Sequence, residues 1–115
     1  MSENIVAEKS LEFAIRVVKL YQHLKKSRAE EVMSKQMLRS GTSIGANVRE
    51  AIYGYSKKDF AAKMAVALKE ASETDYWLEI LFRTGYITKE ENESIRADCT
   101  ELMKLLTAIV KKAKQ

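Results

Sequence analysis

At 115 residues the chain is sized for one domain, able to bury about two thirds of its unfolded surface. It has no proline, only four glycines and a single cysteine, which excludes turn-punctuated β architectures and any intramolecular disulfide. A formal charge of +4 and a pI near 9.2 permit nucleic acid or another anionic partner without requiring one.

Apolar positions recur at helical spacing along almost the whole length. The first helix is expected over about 4–26, with Asn4 as a candidate N-cap. Val6, Ser10, Phe13, Val17, Leu20 and Leu24 follow steps of four and three, and Leu11, Ala14, Val18 and Tyr21 form a second stripe beside them. Ser27 to Glu31 is polar and reads as a connection.

The second helix is expected over about 32–54. Met33, Met37, Ser40, Gly41, Ile44, Val48, Ala51, Ile52 and Tyr55 keep one face through the run Ser40-Gly41-Thr42-Ser43-Ile44-Gly45-Ala46-Asn47. Gly41 and Gly45 each cost about 1 kcal/mol of helix propensity relative to alanine, and close approach of another backbone is the natural compensation. Gly54 is placed at the left-handed position past the helix end.

The third helix, about 57–84, opens on Ser56-Lys57-Lys58-Asp59, which approximates a capping box, and Gly85 is its candidate C-cap. Phe60, Met64, Ala67, Leu68, Ala71, Asp75, Leu78, Leu81 and Phe82 form its stripe. The fourth, about 89–113, opens on the box Thr88-Lys89-Glu90-Glu91 and carries Ile95, Cys99, Leu102, Leu105, Leu106 and Ile109. Four helices with short connections predict an all-α, antiparallel up-down-up-down four-helix bundle spanning residues 1–115 as one domain.

The third helix has more apolar surface than one bundle stripe uses. Val66, Trp77 and Ile80 fall off the core face, with Glu73 among them. Two readings stand: Trp77 lies at the edge of the monomer core, or this second face packs against another copy.

Metal and nucleophilic chemistry find little here. His23 is the one histidine and lacks the glutamate three positions before it that a di-iron bundle needs, and zinc fails for the same lack of ligands. Cys99 lies on an apolar stripe without a histidine base. Gly41 and Gly45 match neither a P-loop nor a dinucleotide fingerprint, since no strand precedes them and no lysine follows. The expectation is a protein that is not an enzyme, with no cofactor and no metal. No window approaches eighteen apolar residues and no signal peptide is evident, so a cytoplasmic location is expected and no membrane span.

Up-down-up-down topology sorts charge by end. Lys9, Lys57, Lys58, Lys63, Lys104, Lys111, Lys112 and Lys114 gather at one end against Glu3, Glu8 and Asp59, together with Tyr53 and Tyr55. All but Lys9 are candidate nucleic-acid contacts. At the other end Lys25, Lys26, Arg28, Arg83 and Lys89 are offset by Glu30, Glu31, Glu79, Glu90, Glu91 and Glu93.

The Ser40–Asn47 run and the run Ala67-Leu68-Lys69-Glu70-Ala71-Ser72-Glu73-Thr74-Asp75-Tyr76-Trp77-Leu78 resemble the bacterial 23S rRNA intervening-sequence proteins. The segments Phe13–Tyr21 and Ser56–Phe60 are similar as well. The resemblance implies a four-helix bundle and a homopentameric ring. It extends to the accessory protein of diversity-generating retroelements, a pentamer that binds nucleic acid and a reverse transcriptase. It implies architectural roles for Arg39, Asn47, Glu50, Glu70 and Glu73 beside the motif glycines Gly41 and Gly45, favours the intersubunit reading of Trp77, and transfers no catalytic residue. The functional expectation is an oligomeric bundle binding RNA or DNA through a basic rim with little sequence specificity. The alternative is a scaffold for a protein partner, such as a reverse transcriptase or an RNA-processing factor, with no nucleic acid bound directly.

Overall fold

The computed structural model describes residues 2–115. Four helices follow in order: α1 Ser2–Ser27, α2 Val32–Ile52, α3 Lys57–Arg83 and α4 Lys89–Ala113. Each packs against its sequence neighbours and α4 closes against α1, while the diagonal pairs do not meet. The result is an antiparallel four-helix bundle measuring 44 × 20 × 19 Å, the length expected of helices rising about 1.5 Å per residue.

The core follows the predicted stripes. Val6, Phe13, Val17 and Leu24 of α1 meet Met37, Ile44 and Val48 of α2, with Met64, Leu78 and Leu81 of α3 and Cys99, Leu102 and Leu106 of α4 completing it. The second α1 stripe is only half-covered, and Leu11 lies exposed. Thr74, Asn92 and Val110 are buried although the stripes omit them.

The seams are fastened in two ways. Three use an arginine: Arg39 of α2 reaches Glu70 and Glu73 of α3, Arg96 of α4 holds Asp75 of α3 bidentately at 3.0 and 3.1 Å, and Arg16 of α1 meets Asp98 of α4 at 2.6 Å. The α1–α2 seam uses small residues instead. A Cβ at Gly41 would lie 2.8 and 2.9 Å from the two γ-methyls of Val17, so only glycine lets these helices come so close. At Gly45 the same atom would stand 3.4 Å from the Ser10 carbonyl oxygen, at the edge of ordinary contact. The two motif glycines therefore do different amounts of spacing.

Several local expectations need correcting. Asn4 lies inside α1, which begins at Ser2, so it caps nothing. Helix α2 ends at Ile52, and Tyr55 stands fully exposed beyond it rather than on its core face. Gly54 does not take a left-handed conformation; Gly85, with φ of 84°, and Ala29, with φ of 54°, do. The Ser56 hydroxyl accepts from the Asp59 N–H at 3.1 Å, and Thr88 with Glu91 forms a complete capping box.

An unpredicted device starts α2. The buried Glu30 carboxylate accepts from the N–H groups of Val32, Met33 and Ser34 at 2.9, 3.1 and 2.8 Å. It satisfies three otherwise unpartnered donors and places negative charge at the positive end of the helix dipole.

Candidate nucleic-acid interface at the basic end

The start of α1, the end of α2, the start of α3 and the end of α4 meet at one end of the bundle. Lys57 and Lys58 occupy the first turn of α3, and Lys104, Lys111, Lys112 and Lys114 ride the last turns of α4; all six are exposed. Among the described residues none of the six lies within 4 Å of a carboxylate. The remaining candidate differs, because Lys63 pairs with Glu50 at 2.9 Å across the α2–α3 seam. Lys9 is likewise engaged, with Glu101 at 3.2 Å. The unpaired positive charge is thus narrower than the lysine count implies and concentrates at the start of α3 and the end of α4.

These two groups differ electrostatically. Lysines at the end of α4 complement the negative end of its dipole. Lys57 and Lys58 face the positive end of α3, where a carboxylate would be preferred and each cation costs a little stability.

Between the lysines lies an open cleft of about 700 Å³. Its apolar floor comes from Ala51, Ile52, Phe60, Leu105 and Ile109, and Lys57, Lys112 and Tyr55 stand among its lining. Glu3 is the one acidic side chain among the described residues of its lining, which Gln115 also joins. Tyr53 and Tyr55 lie in the connection between α2 and α3, 79% and 101% exposed.

The α2–α3 face carries the remaining candidates. Glu73 accepts from the Trp77 indole N–H at 3.0 Å and from Arg39, and those two hydrogen bonds hold its carboxyl below the usual carboxylate range. Arg39 also donates to Glu70 at 3.2 Å. Trp77 is half-buried against the core, with Tyr76 edge-on to it at 5.2 Å, so its ring belongs partly to the monomer. Val66 and Tyr76 are exposed, and Ile80 is half-buried. Asn47 turns inward on its own helix, its amide donating to the Ser43 carbonyl at 2.8 Å, while Glu50 is taken by Lys63. Motif polarity here joins α2 to α3, and Gly45 and Glu50 also line, with Arg49, Leu11 and Tyr53, a second cleft of about 510 Å³ between α1 and α2.

Cys99 is buried, and burial pushes its thiol up to about 12, so no thiolate forms at neutral pH. No three His, Cys, Asp or Glu side chains cluster as metal ligands among the described residues. No helix there is long and apolar enough to cross a membrane.

An antiparallel bundle with arginine-bridged seams and one lysine-rich end defines the class. The chain belongs to the 23S rRNA-intervening sequence protein family, whose family model matches residues 2–108. It is also similar to a protein of unknown function from the S23 ribosomal protein family of Bacteroides thetaiotaomicron VPI-5482. The two are 59% identical, with a TM-score of 0.95, over 96% of this chain and 99% of that one. Among curated proteins none matches.

Proposed function

We propose that this chain is a non-enzymatic bundle that assembles with copies of itself and binds RNA or DNA through its basic end, contacting phosphates and reading little sequence. The observation that carries this reading is the position of Lys57 and Lys58. They sit where the α3 dipole opposes them and, among the described residues, have no carboxylate within 4 Å. A local rule broken at the surface without internal compensation marks a functional surface. Two adjoining clusters of unpaired lysine suit a polyanion better than a single small anion.

The positions of the uncovered apolar groups support assembly. Leu11 and Ile15 are exposed on α1, and Val66 and Tyr76 on α3, the helix diagonally opposite. Patches on two different faces fit a head-to-tail contact, which closes into a ring when the rotation permits. Five copies is the number the family resemblance implies. A ring brings several basic ends onto one rim and multiplies a modest patch into a strong field.

A binding titration against a short RNA tests the reading. Six phosphate contacts predict a single-strand affinity that falls about 300-fold between roughly 50 and 200 mM salt. Replacing Lys111, Lys112 and Lys114 by Glu abolishes binding at the higher salt and flattens the salt slope. Equal binding by parent and variant, or none by the parent, overturns it. Light scattering is expected to give a mass several times the 13.1 kDa of one chain, and a monomer would remove the shared rim.

A further inference from the structure

We propose that the cleft at the basic end receives one unstacked base of a single-stranded nucleic acid, whose flanking phosphates lie on Lys57 and Lys112. This rests on the phosphate-binding reading above and adds to it a preference for single strands over duplex.

Three observations converge. The first is the floor. Ile52, Phe60, Leu105 and Ile109 are only half-buried, so an apolar surface stays wet at the end that carries the unpaired lysines. A phosphate backbone gains nothing from such a surface, whereas the face of a base does. The second is size. A cleft of about 700 Å³ has room for a base and its sugar, within the range of ordinary ligand sites. The third is Tyr55, fully exposed on the cleft lining, with Phe60 in the floor. An aromatic ring held in solvent beside lysines is the arrangement on which unpaired bases stack, with phosphates tracking the neighbouring cations.

The other end of the bundle shows that this cleft is not a general consequence of the architecture. There Ile87 is buried, and the Arg28 guanidinium lies 5.4 Å from the centre of the Tyr86 ring. A duplex keeps its base faces stacked inside and offers this end phosphates, sugars and groove edges, so it reaches the lysines and puts no base face on the floor. A small amphipathic anion would fill the floor and satisfy one or two lysines. Lys58, Lys111 and Lys114, exposed and unpaired nearby, match a longer polyanion instead.

The test compares single-stranded oligonucleotides, oligo(U) and oligo(dT), with a duplex of equal phosphate count by fluorescence anisotropy at fixed salt. The two single-stranded arms separate RNA from DNA, which share the base and phosphate chemistry. Two variants at exposed positions keep every lysine: Tyr55→Ala removes the stacking ring, and Ala108→Trp plugs the cleft from α4. The parent is expected to prefer single strands. Each variant should weaken single-strand binding by about 5- to 100-fold and leave duplex affinity and salt slope unchanged. If neither variant alters single-strand binding, or both weaken duplex equally, the base site is overturned while phosphate binding stands. If the parent binds no nucleic acid, both fall.

Discussion

At the end of the bundle where α1 passes into α2 and α3 into α4, polar groups are spent inside the structure. Glu30, 6% exposed, caps α2 with three backbone hydrogen bonds. Arg28 donates to the carbonyls of Gly85 and Tyr86 at 2.9 and 3.1 Å, tying one connection to the other. Thr88 and Glu91 exchange hydrogen bonds at the start of α4. At the opposite end Ser56 caps α3, but both tyrosines of the connection from Tyr53 to Ser56 are uncovered, and Lys57 and Lys58 just beyond it have no ion-pair partner among the described residues. The same task of reversing the chain is done with internal partners at one end and with groups left over at the other. One end closes on internal partners, and the other leaves its tyrosines and lysines facing solvent.

The sharpest way to break that contrast is Glu30→Ala. It leaves three N–H groups without their acceptor, that of Ser34 buried, and removes a charge suited to the dipole, so a loss of about 2–3 kcal/mol is expected. Glu30→Gln keeps an acceptor but not the charge and should fall between. Urea unfolding with unchanged m-value measures both. If Glu30→Ala stays within about 0.5 kcal/mol of the parent, an ordinary surface figure, the closed end is not where stability resides.

Much of this fold is legible in the sequence because helical periodicity survives from Val6 to Val110 with no proline to interrupt it. The capping residues Ser56 and Thr88 are legible for the same local reason. Glu30 is not, because it lies two residues before α2 and reaches forward past Glu31, which holds the N-cap position without a side-chain capping bond. Its signal is only an acidic residue just ahead of an apolar run. Gly41 and Gly45 look equivalent in sequence, yet their roles depend on what stands opposite, a buried valine in one case and a serine carbonyl in the other. That information lies some thirty residues away on α1. The lysines of the basic end are legible as a set, but the partners that withdraw Lys63 and Lys9 from it are not. Glu50 and Glu101 come into range only through the α2–α3 and α1–α4 packing. The cleft is invisible until α2 is seen to stop at Ile52, which leaves Tyr55 outside the core stripe it extends by spacing.

The smallest change in stability makes the sharpest distinction between the ends. Lys57→Glu with Lys58→Glu replaces two cations at the positive end of α3 by two carboxylates, beside an Asp59 that already suits that dipole. Each exchange should raise stability by about 0.3–1 kcal/mol at low salt, because neither lysine gives up an ion pair. The same double variant should lose affinity for nucleic acid. A protein that unfolds at higher urea yet binds more weakly shows that these lysines are held at a cost to the fold. A protein that unfolds at lower urea shows that they stabilise α3 in a way the dipole does not account for, and with that the argument for a functional surface at the start of α3 fails.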